Sequence, residues 1–324
     1  MPGYGGMMPA AYRAWAALFE DTGTVRLAPR RAVYVLREEG PWQDAVSATL
    51  AEAGHSLTVL DDVALAGLPM IQREGVLRVV EVGGSGILAA SSILADLLAV
   101  LPRLGVTIAT DATVRDIDAE GGMLRLATGE MIAADHLVVA AGIGAVRLMP
   151  QAARAAGLRA SLQTLAYLEP PADLAPVWTD APLLHARLPD HPAGGVYVLP
   201  PCQGARLKIG DYASATEADP HRDHETLRAG RIMALLDGGA RVITEFDRYR
   251  VTAMRHCHYT MAPGDRFVVR HVQARTTLLS ACSGHGFKLA PLMALGLVAA
   301  LEERLEHAAL EHWAAGRAGE RADG

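Results

Sequence analysis

The ten residues from Cys282 to Pro291, CSGHGFKLAP, constrain the fold of this chain more than any other stretch. They follow an apolar strand-like run (Thr277 to Ala281) and open a long apolar segment, which predicts a strand, a glycine turn and a helix in succession. Glycines allow close backbone approach, and the first N–H groups of a helix lack partners inside it. The pattern is typical of an anion site, although a tight turn with a buried histidine fits the spacing equally well.

Size and charge exclude several classes of protein. The chain has 324 residues, of which 51% are hydrophobic, so it can bury a large core and form two closely joined domains. Its net charge is −6 and its lysines and arginines are scattered singly, which argues against a nucleic-acid or anionic-membrane partner. The longest apolar run, Leu289 to Leu301, is too short to span a bilayer. The N-terminus lacks a charged region followed by an apolar one, so we expect a cytoplasmic protein.

Cysteine and histidine spacing predicts neither a disulfide framework nor a metal centre. The three cysteines occur in no CxxC spacing. The HRDH segment (residues 221–224) lies in a polar stretch without a third ligand, and His256 and His258 also lack further ligands nearby. We therefore expect no bound metal.

Three blocks of the sequence resemble one enzyme family, in that family's order. The run from Ser283 to Lys288 resembles the SGHGFK signature of the flavin-dependent amine oxidases of the sarcosine oxidase and N-methyltryptophan oxidase group, in the D-amino-acid-oxidase-like superfamily. The blocks ARLKIGDY, which contains Lys208, and MRHCHYTMAPGDRFVV, which contains Cys257, resemble the same group. The resemblance implies an α/β (α+β) fold, in which a doubly wound FAD-binding domain is interleaved with a mostly antiparallel substrate-binding sheet.

The resemblance also divides the chain. Members of the group begin with a βαβ unit carrying GxGxxG, and Gly3 to Trp15 resembles the stretch that follows that unit. We therefore expect an FAD-binding domain that lacks its first βαβ unit, made of residues 1–20, 85–158 and 256–324. Residues 21–84 and 159–255 form the expected substrate-binding domain, which begins with a strand over Thr24 to Leu36 and a helix over Trp42 to Gly54.

A second glycine motif allows a different interpretation. Gly84, Gly86 and Ala89 match the dinucleotide fingerprint G-x-G-x-x-A between a predicted strand and a predicted helix. Taken alone, this motif predicts a pyridine-nucleotide dehydrogenase without a bound yellow chromophore. The same stretch resembles the DSGxL segment of the oxidase group, where the chain passes from the substrate domain back into the flavin domain, and this favours a crossover.

The resemblance implies which residues contact FAD. Cys257 is the implied covalent anchor through its sulfur, which requires thiolate character beside Arg255, His256 and His258. A small buried hydrophobe is the other interpretation of this cysteine. Val114 falls where the group lays backbone against the adenine, and Gly142 ends a predicted buried parallel strand near the flavin. The remaining implied contacts come from the signature: Ser283, Gly284, Gly286 and Phe287.

Three residues have implied catalytic roles. Lys208 would place a fixed positive charge beside the flavin, where it stabilises the charge that develops as oxygen is reduced. Lys288 would hold a substrate carboxylate as a point charge, and His285 would shape the flavin and substrate pocket. Tyr212 stands where close members of the group often carry a histidine, which predicts a different choice of substrate.

The resemblance implies an FAD-dependent oxidoreductase that oxidises the C–N bond of a secondary amine or N-methyl amino acid, sarcosine-like, to an imine, with O2 reduced to H2O2. The lack of a GxGxxG unit at the N-terminus leaves a second interpretation, a non-catalytic or partner-dependent protein of oxidase fold. A partner chain or an upstream start would then supply the nucleotide-binding unit. An NAD(P)-dependent dehydrogenase using Gly84 to Ala89 is the third interpretation.

Overall fold

The structure is a computed structural model that describes residues 3–40, 44, 47–48, 50–51, 54–192, 194–212, 229–280 and 282–317. Most of the predicted helix over residues 42–54, and all of the HRDH segment, lie outside the described residues. No helix in the described part of the chain is long and apolar enough to cross a membrane.

Strands and helices alternate irregularly along the chain. The described strands are β1 (Leu27–Pro29), β2 (Ala32–Leu36), β3 (Leu57–Val59), β4 (Arg78–Val82), β5 (Gly86–Leu88), β6 (Val114–Asp118), β7 (Met123–Leu126), β8 (Met131–Ala133), β9 (Leu137–Val139), β10 (Arg159–Glu169), β11 (Leu183–Arg187), β12 (Gly195–Leu199), β13 (Leu207–Asp211), β14 (Arg250–Met261), β15 (Val268–Gln273) and β16 (Thr276–Ser280). The described helices are α1 (Met8–Thr22), α2 (Asp62–Ala66), α3 (Ala90–Val100), α4 (Ala145–Leu148), α5 (Pro150–Ala155), α6 (Ala229–Val242), α7 (Ala290–Leu301) and α8 (His307–Ala314). Short 3-10 turns connect several of them.

The largest sheet has eight strands in the order β14-β10-β13-β12-β11-β2-β4-β3. All of its pairs are antiparallel except β11 with β2, which run parallel. Strands from residues 32–82 and from residues 159–261 therefore form one continuous sheet. The expected antiparallel sheet is present, and the two chain segments that form it meet at the parallel β11–β2 pair.

Strand alternation gives this sheet one apolar face. Val33 and Val35 on β2 are fully buried, as are Leu184 on β11, Val196 on β12 and Ile209 on β13. These side chains belong to one core cluster, which includes residues of α6 as well. Burying an aliphatic side chain of this size stabilises a fold by about 1.5–3 kcal/mol, so this face accounts for much of the stability of the sheet.

A smaller sheet holds the parallel strand pair that precedes the glycine loops. Its order is β15-β16-β9, with β16 parallel to β9 and Leu278 opposite Val139. Parallel neighbours end at the same edge of a sheet, so the turn at Gly142 and the loop that begins at Cys282 leave from one edge. Open α/β sheets bind ligands in the crevice outside such carboxyl ends.

The predicted strand over Thr24 to Leu36 is wrong as a single element. It forms β1, which pairs with β5, and β2, which enters the eight-stranded sheet, with a break at Arg30 and Arg31. Pro29 ends β1, and a proline has no N–H to donate to a ladder. The alternating apolar pattern runs through this break, and for that reason periodicity alone misses it.

Candidate active site

The face of the eight-stranded sheet opposite the core carries aromatic and polar side chains. The register aligns Tyr34 on β2 with His185 on β11, and His185 with Tyr197 on β12. Tyr197 in turn lies opposite Gly210 on β13. Lys208 is two residues before Gly210, so it points to the same face.

Cys257 belongs to the same face. Leu165 on β10 lies opposite Gly210, and Gln163, two residues earlier, lies opposite Cys257 on β14. The positive charge of Lys208 acts on the thiol of Cys257, which it favours in the ionised form. The sheet thus brings together two residues that lie 49 positions apart in sequence and that the sequence comparison assigned to the flavin.

Tyr34, His185, Tyr197 and Tyr212 form a continuous surface that we call the aromatic wall. Ring centroids lie 4.9 Å apart for Tyr34 and His185, 6.3 Å for His185 and Tyr212, and 5.8 Å for Tyr197 and Tyr212. The hydroxyl of Tyr212 is hydrogen-bonded to Nδ1 of His185. Burial, assisted by the charge of Lys288, lowers the pKa of His185 to about 4, so this histidine is neutral at pH 7.

Gly210 makes room for the ring of Tyr197. A Cβ built on Gly210 would lie 2.3 Å from both Cζ and Oη of Tyr197. The hydroxyl of Tyr259 donates a hydrogen bond to that of Tyr197. Burial raises the pKa of Tyr197 to about 12, with Cys257 and Asp211 acting in the same direction. The ring of Tyr197 therefore lies over Gly210 in a largely desolvated position.

Lys208 borders a cavity of about 380 Å³ between the sheet and the start of α3. Tyr167 and Arg255 line the cavity with it, and Tyr167 lies opposite Lys208 in the register. Burial lowers the pKa of Lys208, while Cys257 and Cys202 act in the opposite direction. A partly desolvated ammonium of this kind exerts a stronger field than one in water.

The surroundings of Cys257 favour the neutral thiol over the thiolate that the sequence led us to expect. Burial raises the pKa of its thiol, Cys282 acts in the same direction, and only Lys208 acts to lower it. His256 and His258 alternate to the other face of β14, where His256 Nδ1 contacts the hydroxyl of Thr164. The two histidines therefore cannot activate the thiol by direct contact.

The signature loop runs alongside the end of β14. The N–H of Ser283 donates to the carbonyl of Thr260 at 2.8 Å, and its hydroxyl donates to the carbonyl of Arg266 at 3.0 Å and accepts from the N–H of Ala262. Ser283 and Gly284 both have positive φ angles, 40° and 74°. The hydroxyl of Ser283 thus stabilises the loop through two hydrogen bonds to backbone groups. The contact of Ser283 with FAD stays a prediction.

His285 is held by the backbone in one tautomer. Nε2 donates to the carbonyl of Asp265 at 2.9 Å, which leaves Nδ1 as an acceptor. Nδ1 is buried and has no hydrogen-bond partner among the described residues. Burial is the largest cause that lowers the pKa of His285, to about 4, so the ring is neutral at pH 7. The rings of Tyr4 and Phe267 pack against it at 5.1 and 4.5 Å.

Lys288 joins the loop to the sheet face. Its carbonyl accepts a hydrogen bond from Nε1 of Trp15 on α1 at 2.8 Å, and the Trp15 ring packs on Phe287 at 5.5 Å. Lys288 is an exposed residue, and desolvation by the surrounding protein nevertheless lowers the pKa of its ammonium group. The charge of Lys288 acts to lower the pKa of both His185, on the aromatic wall, and His285, in the signature loop.

The other predicted FAD contacts occupy different positions. Gly142, with φ 55°, opens a 3-10 turn just after β9, at the same sheet edge as the signature loop. Gly286 caps the 3-10 turn Phe287–Leu289 with φ −68°, a value open to any residue. Val114 begins β6 in the separate β6-β7-β8 sheet, and its carbonyl accepts from the guanidinium of Arg147 at 2.8 Å.

The Gly84 to Ala89 motif does not form a phosphate cradle. Gly86 to Leu88 is strand β5, which pairs with β1 in antiparallel register, and α3 starts only at Ala90. A Cβ on Gly86 would lie 2.7 Å from a methyl group of Leu27, so the glycine serves strand packing. A nucleotide fingerprint needs a glycine turn that leads directly from a strand into a helix. The dehydrogenase interpretation that rested on this motif is therefore wrong.

Several solved structures share this fold. Glycine oxidase from Geobacillus kaustophilus superposes with a TM-score of 0.75 at 22% sequence identity, over 98% of this chain and 84% of that one. L-proline dehydrogenase from P. horikoshii gives 0.76 at 13% identity, over 98% and 83%. Iminodiacetate oxidase from Chelativorans sp. BNC1 gives 0.70 at 16% identity, over 91% and 79%. No curated protein sequence matches the chain significantly.

The fold is thus one that oxidoreductases use. The family described as DAO, FAD dependent oxidoreductase, matches residues 4–301, and the chain belongs to this family. The expected α/β class and the resemblance to the sarcosine oxidase-like group are both confirmed. The predicted roles of individual residues and the predicted domain boundaries stay predictions.

The site fits the redox-active ring system of FAD. The orphan Nδ1 of His285 provides a buried acceptor, and Lys208 provides a desolvated charge beside Cys257. At Gly284 a Cβ would lie only 3.0 Å from the ring of Tyr259, so a larger residue would close the space between loop and sheet. The nucleotide half of FAD has no such match at Gly84 to Ala89, because that segment is a strand.

Sequence reasoning missed Tyr34, His185 and Tyr197. Each stands in an alternating apolar strand, where a single polar or aromatic residue between buried apolar residues indicates the outward face of a sheet. That pattern shows on which face of the sheet a residue lies, but not which residues lie next to it. Only the strand order shows that these three side chains share one face of the sheet with Lys208.

Proposed function

We propose that the protein is an FAD-dependent oxidase of a secondary amine or N-methyl amino acid, sarcosine-like, which it converts to an imine with O2 reduced to H2O2. What supports this proposal is the sheet face that Lys208 and Cys257 share with the aromatic wall, together with the charge of Lys288, which acts on both His185 and His285. Lys288 would supply the anion-binding charge. Glycine oxidase and iminodiacetate oxidase, which share the fold, are named for substrates that combine an amine with a carboxylate.

Lys288 would bind the substrate carboxylate. Its pKa is lowered by desolvation, and an anion bound beside it would favour the charged form of the lysine. The neutral rings of Tyr34 and Tyr212 offer no competing charge to an amine that lies between them and the loop. Their faces also attract a cationic amine, which favours binding before its proton is lost.

FAD, when bound, supplies the chemistry that takes a hydride equivalent from the amine carbon and delivers two electrons to oxygen. His285 keeps its orphan Nδ1 as a fixed acceptor, because Nε2 is committed to the carbonyl of Asp265. Lys208 holds a positive charge at the sheet face, which stabilises negative charge as oxygen is reduced. The rings of the aromatic wall exclude water, which strengthens both effects.

Cys257 is the proposed covalent anchor for FAD. Its thiol shares the sheet face with Lys208, and the charge of this lysine acts to lower the thiol pKa. We further propose that residues 1–20, 85–158 and 256–324 form the FAD-binding domain, with residues 21–84 and 159–255 forming the substrate-binding domain.

A partner-dependent protein is the second candidate, because one sheet edge is uncovered in the part of the chain that is described. β9 is the edge strand of the β15-β16-β9 sheet, and Val138 on it is 40% exposed. Leu295 and Val298 on α7 are 57% and 44% exposed. Strands in parallel sheets are normally covered on both faces, so this edge suits a further strand and helix, which we propose carry the nucleotide-binding motif.

The decisive experiment is a visible spectrum of the purified protein, followed by acid precipitation. Flavin absorbance that stays in the acid pellet, and is lost in Cys257→Ala but not in Cys202→Ala, would support an autonomous oxidase with a covalent flavin. Sarcosine should then yield H2O2 in a peroxidase-coupled assay without added NAD(P). A folded, colourless protein that produces no peroxide with added FAD would reject the autonomous oxidase and favour the partner-dependent form.

A further inference from the structure

Three positive charges line the cavity of about 380 Å³ that Lys208 borders, and we call it the cationic cavity. The other two charges belong to Arg206, which directly precedes β13, and to Arg255 on β14. No aspartate or glutamate is among the described residues that line this cavity. Neither arginine has a role in the proposed oxidation.

The ring of Tyr167 holds the two guanidinium groups close together. Cζ of Arg206 lies 4.2 Å from the ring centroid, and Cζ of Arg255 lies 5.9 Å from it. Arg206 also donates a hydrogen bond to the hydroxyl of Thr252 at 3.2 Å, which orients its planar fork. Like charges held this close repel one another, and a bound anion would relieve that repulsion.

The described part of the chain does not neutralise these charges. Neither the ammonium of Lys208 nor the guanidinium of Arg255 has a hydrogen bond or an ion pair there. A carboxylate beside Lys208 would act to raise its pKa, but the groups that act in this direction are the thiols of Cys257 and Cys202. Burial raises the pKa of both thiols, so they are neutral at pH 7. The cationic cavity therefore keeps its positive charge.

Helix α3 adds backbone donors to the same cavity. Its first three residues, Ala90, Ser91 and Ser92, are part of the lining. Ala89 occupies the N-cap position, and no side chain caps this end of the helix. The first N–H groups of a helix lack partners inside it and carry partial positive charge. They reinforce the attraction that the three side chains exert on an anion.

We propose that the cationic cavity binds a phosphate or diphosphate group. Guanidinium groups pair with phosphate oxygens in bidentate geometry, and helix N-termini bind the same group through backbone N–H donors. The volume lies in the range of small-molecule sites, which suits a diphosphate or a phosphate ester better than a single small ion. Arg206 and Arg255 are both exposed, so a ligand reaches them from solvent without a change of fold.

The phosphate group can come from two sources. Lys208 borders the cationic cavity and belongs to the proposed active site, so the two sites adjoin, and this link rests on the proposed function. One source is the diphosphate of FAD, for which the strand from Gly86 to Leu88 offers no cradle. The other is a separate phosphorylated ligand. Both sources share the chemistry that the cavity recognises.

Calorimetric titration with inorganic diphosphate tests the proposal, at an ionic strength held constant with NaCl. The full chain carries Cys257→Ala in this experiment, so that no flavin is covalently bound and dialysis leaves the cavity open. We expect saturable 1:1 binding, and a roughly five- to tenfold weaker Kd in Arg206→Gln and in Arg255→Gln, the loss of one charged partner. Arg304→Gln makes the same change of charge at an exposed arginine paired with Glu302, and should not alter the Kd.

A repeat of the titration with excess FAD distinguishes the two sources. Loss of the diphosphate heat would assign the cavity to the diphosphate of FAD, and heat that persists would assign it to a separate ligand; both support binding. The titration without FAD involves neither flavin nor turnover, so its failure is separate from failure of the proposed oxidation.

Two results would overturn the proposal. The first is heat from diphosphate no greater than that from NaCl, in protein whose circular dichroism shows that it is folded. The second is a Kd that neither Arg206→Gln nor Arg255→Gln changes, which would place the bound ion elsewhere on the protein.

Discussion

Replacing Gly210 by alanine should displace the ring of Tyr197 and destabilise the protein. The added Cβ would lie 2.3 Å from Cζ and Oη and 2.7 Å from Cε1 of Tyr197. Carbon contacts are favourable near 3.5–4.0 Å, so the ring must move by roughly 1 Å or more. It meets Tyr212 on one side and is hydrogen-bonded to Tyr259 on another, which restricts that movement. We expect a loss of about 1–3 kcal/mol in the free energy of unfolding, the range for overpacked sites.

Urea unfolding at pH 7.5, followed by circular dichroism, measures this loss. Gly230→Ala is the matched control, because its Cβ would meet no atom within 4 Å and it lies in helix α6. Alanine there should be neutral or stabilise the protein by up to about 1 kcal/mol. A spectrophotometric titration supplies a second readout, since a ring moved toward solvent should titrate below the pKa of about 12 that Tyr197 has in the parent.

A double-mutant cycle decides whether Tyr197 is the cause. In a Tyr197→Ala background the added methyl of Gly210→Ala meets no ring, so its effect should fall below about 0.5 kcal/mol. An unchanged loss in that background would refute the reasoning and point to the backbone of β13. A parent-like stability for Gly210→Ala alone would refute the close contact itself.

Three further perturbations test other parts of the site. Lys208→Met should slow the reaction of the reduced enzyme with oxygen by roughly 10²–10³-fold while flavin reduction changes little, measured by stopped flow for each half-reaction, and equal effects on both would reject the role of this charge. His185 and His285 have folded pKa values of about 4, below the unfolded value of 6.5, so the unfolded state binds more protons and stability is lost as pH falls from about 6.5 to 4. Each histidine should contribute a loss of about 2 kcal/mol in the free energy of unfolding between pH 7.5 and pH 5, measured by urea titrations. The variant His185→Phe should lose about 2 kcal/mol less than the parent over this range. A pH dependence equal to that of the parent would contradict the lowered pKa of His185. Ser283→Ala leaves the N–H of Ala262 and the carbonyl of Arg266 without this hydroxyl and should cost about 1–3 kcal/mol, whereas Ser91→Ala at an exposed helix position should cost under 0.5 kcal/mol.

The sequence predicts well those parts of the fold that local chemistry determines. The strand β16, the glycine loop and helix α7 follow one another as the run from Thr277 to Leu301 predicts. The apolar stretch before Gly142 likewise becomes the parallel strand β9, although only Leu137–Val139 keep strand geometry. In both cases a strong local signal, a short apolar run bounded by glycine, agrees with the tertiary environment.

The sequence is less informative where a neighbour decides the outcome. Thr24 to Leu36 resembles one strand in the sequence, but β1 and β2 pair in different sheets, and their partner residues in β5 and β4 are 42 or more positions further along the chain. Spatial neighbours also decide the pKa of Cys257. Its sequence neighbours, two histidines, favour a thiolate, while its spatial neighbours and its burial favour the neutral thiol. Motif matching located the cysteine, and only the strand register shows what surrounds it.

Mutations on the two faces of the eight-stranded sheet should affect different properties of the protein. Tyr34, His185 and Tyr197 alternate along their strands with buried valines and leucines that belong to the core. A combinatorial library restricted to these three codons would therefore test the proposed substrate-recognition surface while the hydrophobic layer beneath stays intact. Substitutions at the neighbouring codons, one position away, would instead change the core. The pleat of the backbone thus separates the proposed recognition surface from the residues that stabilise the sheet.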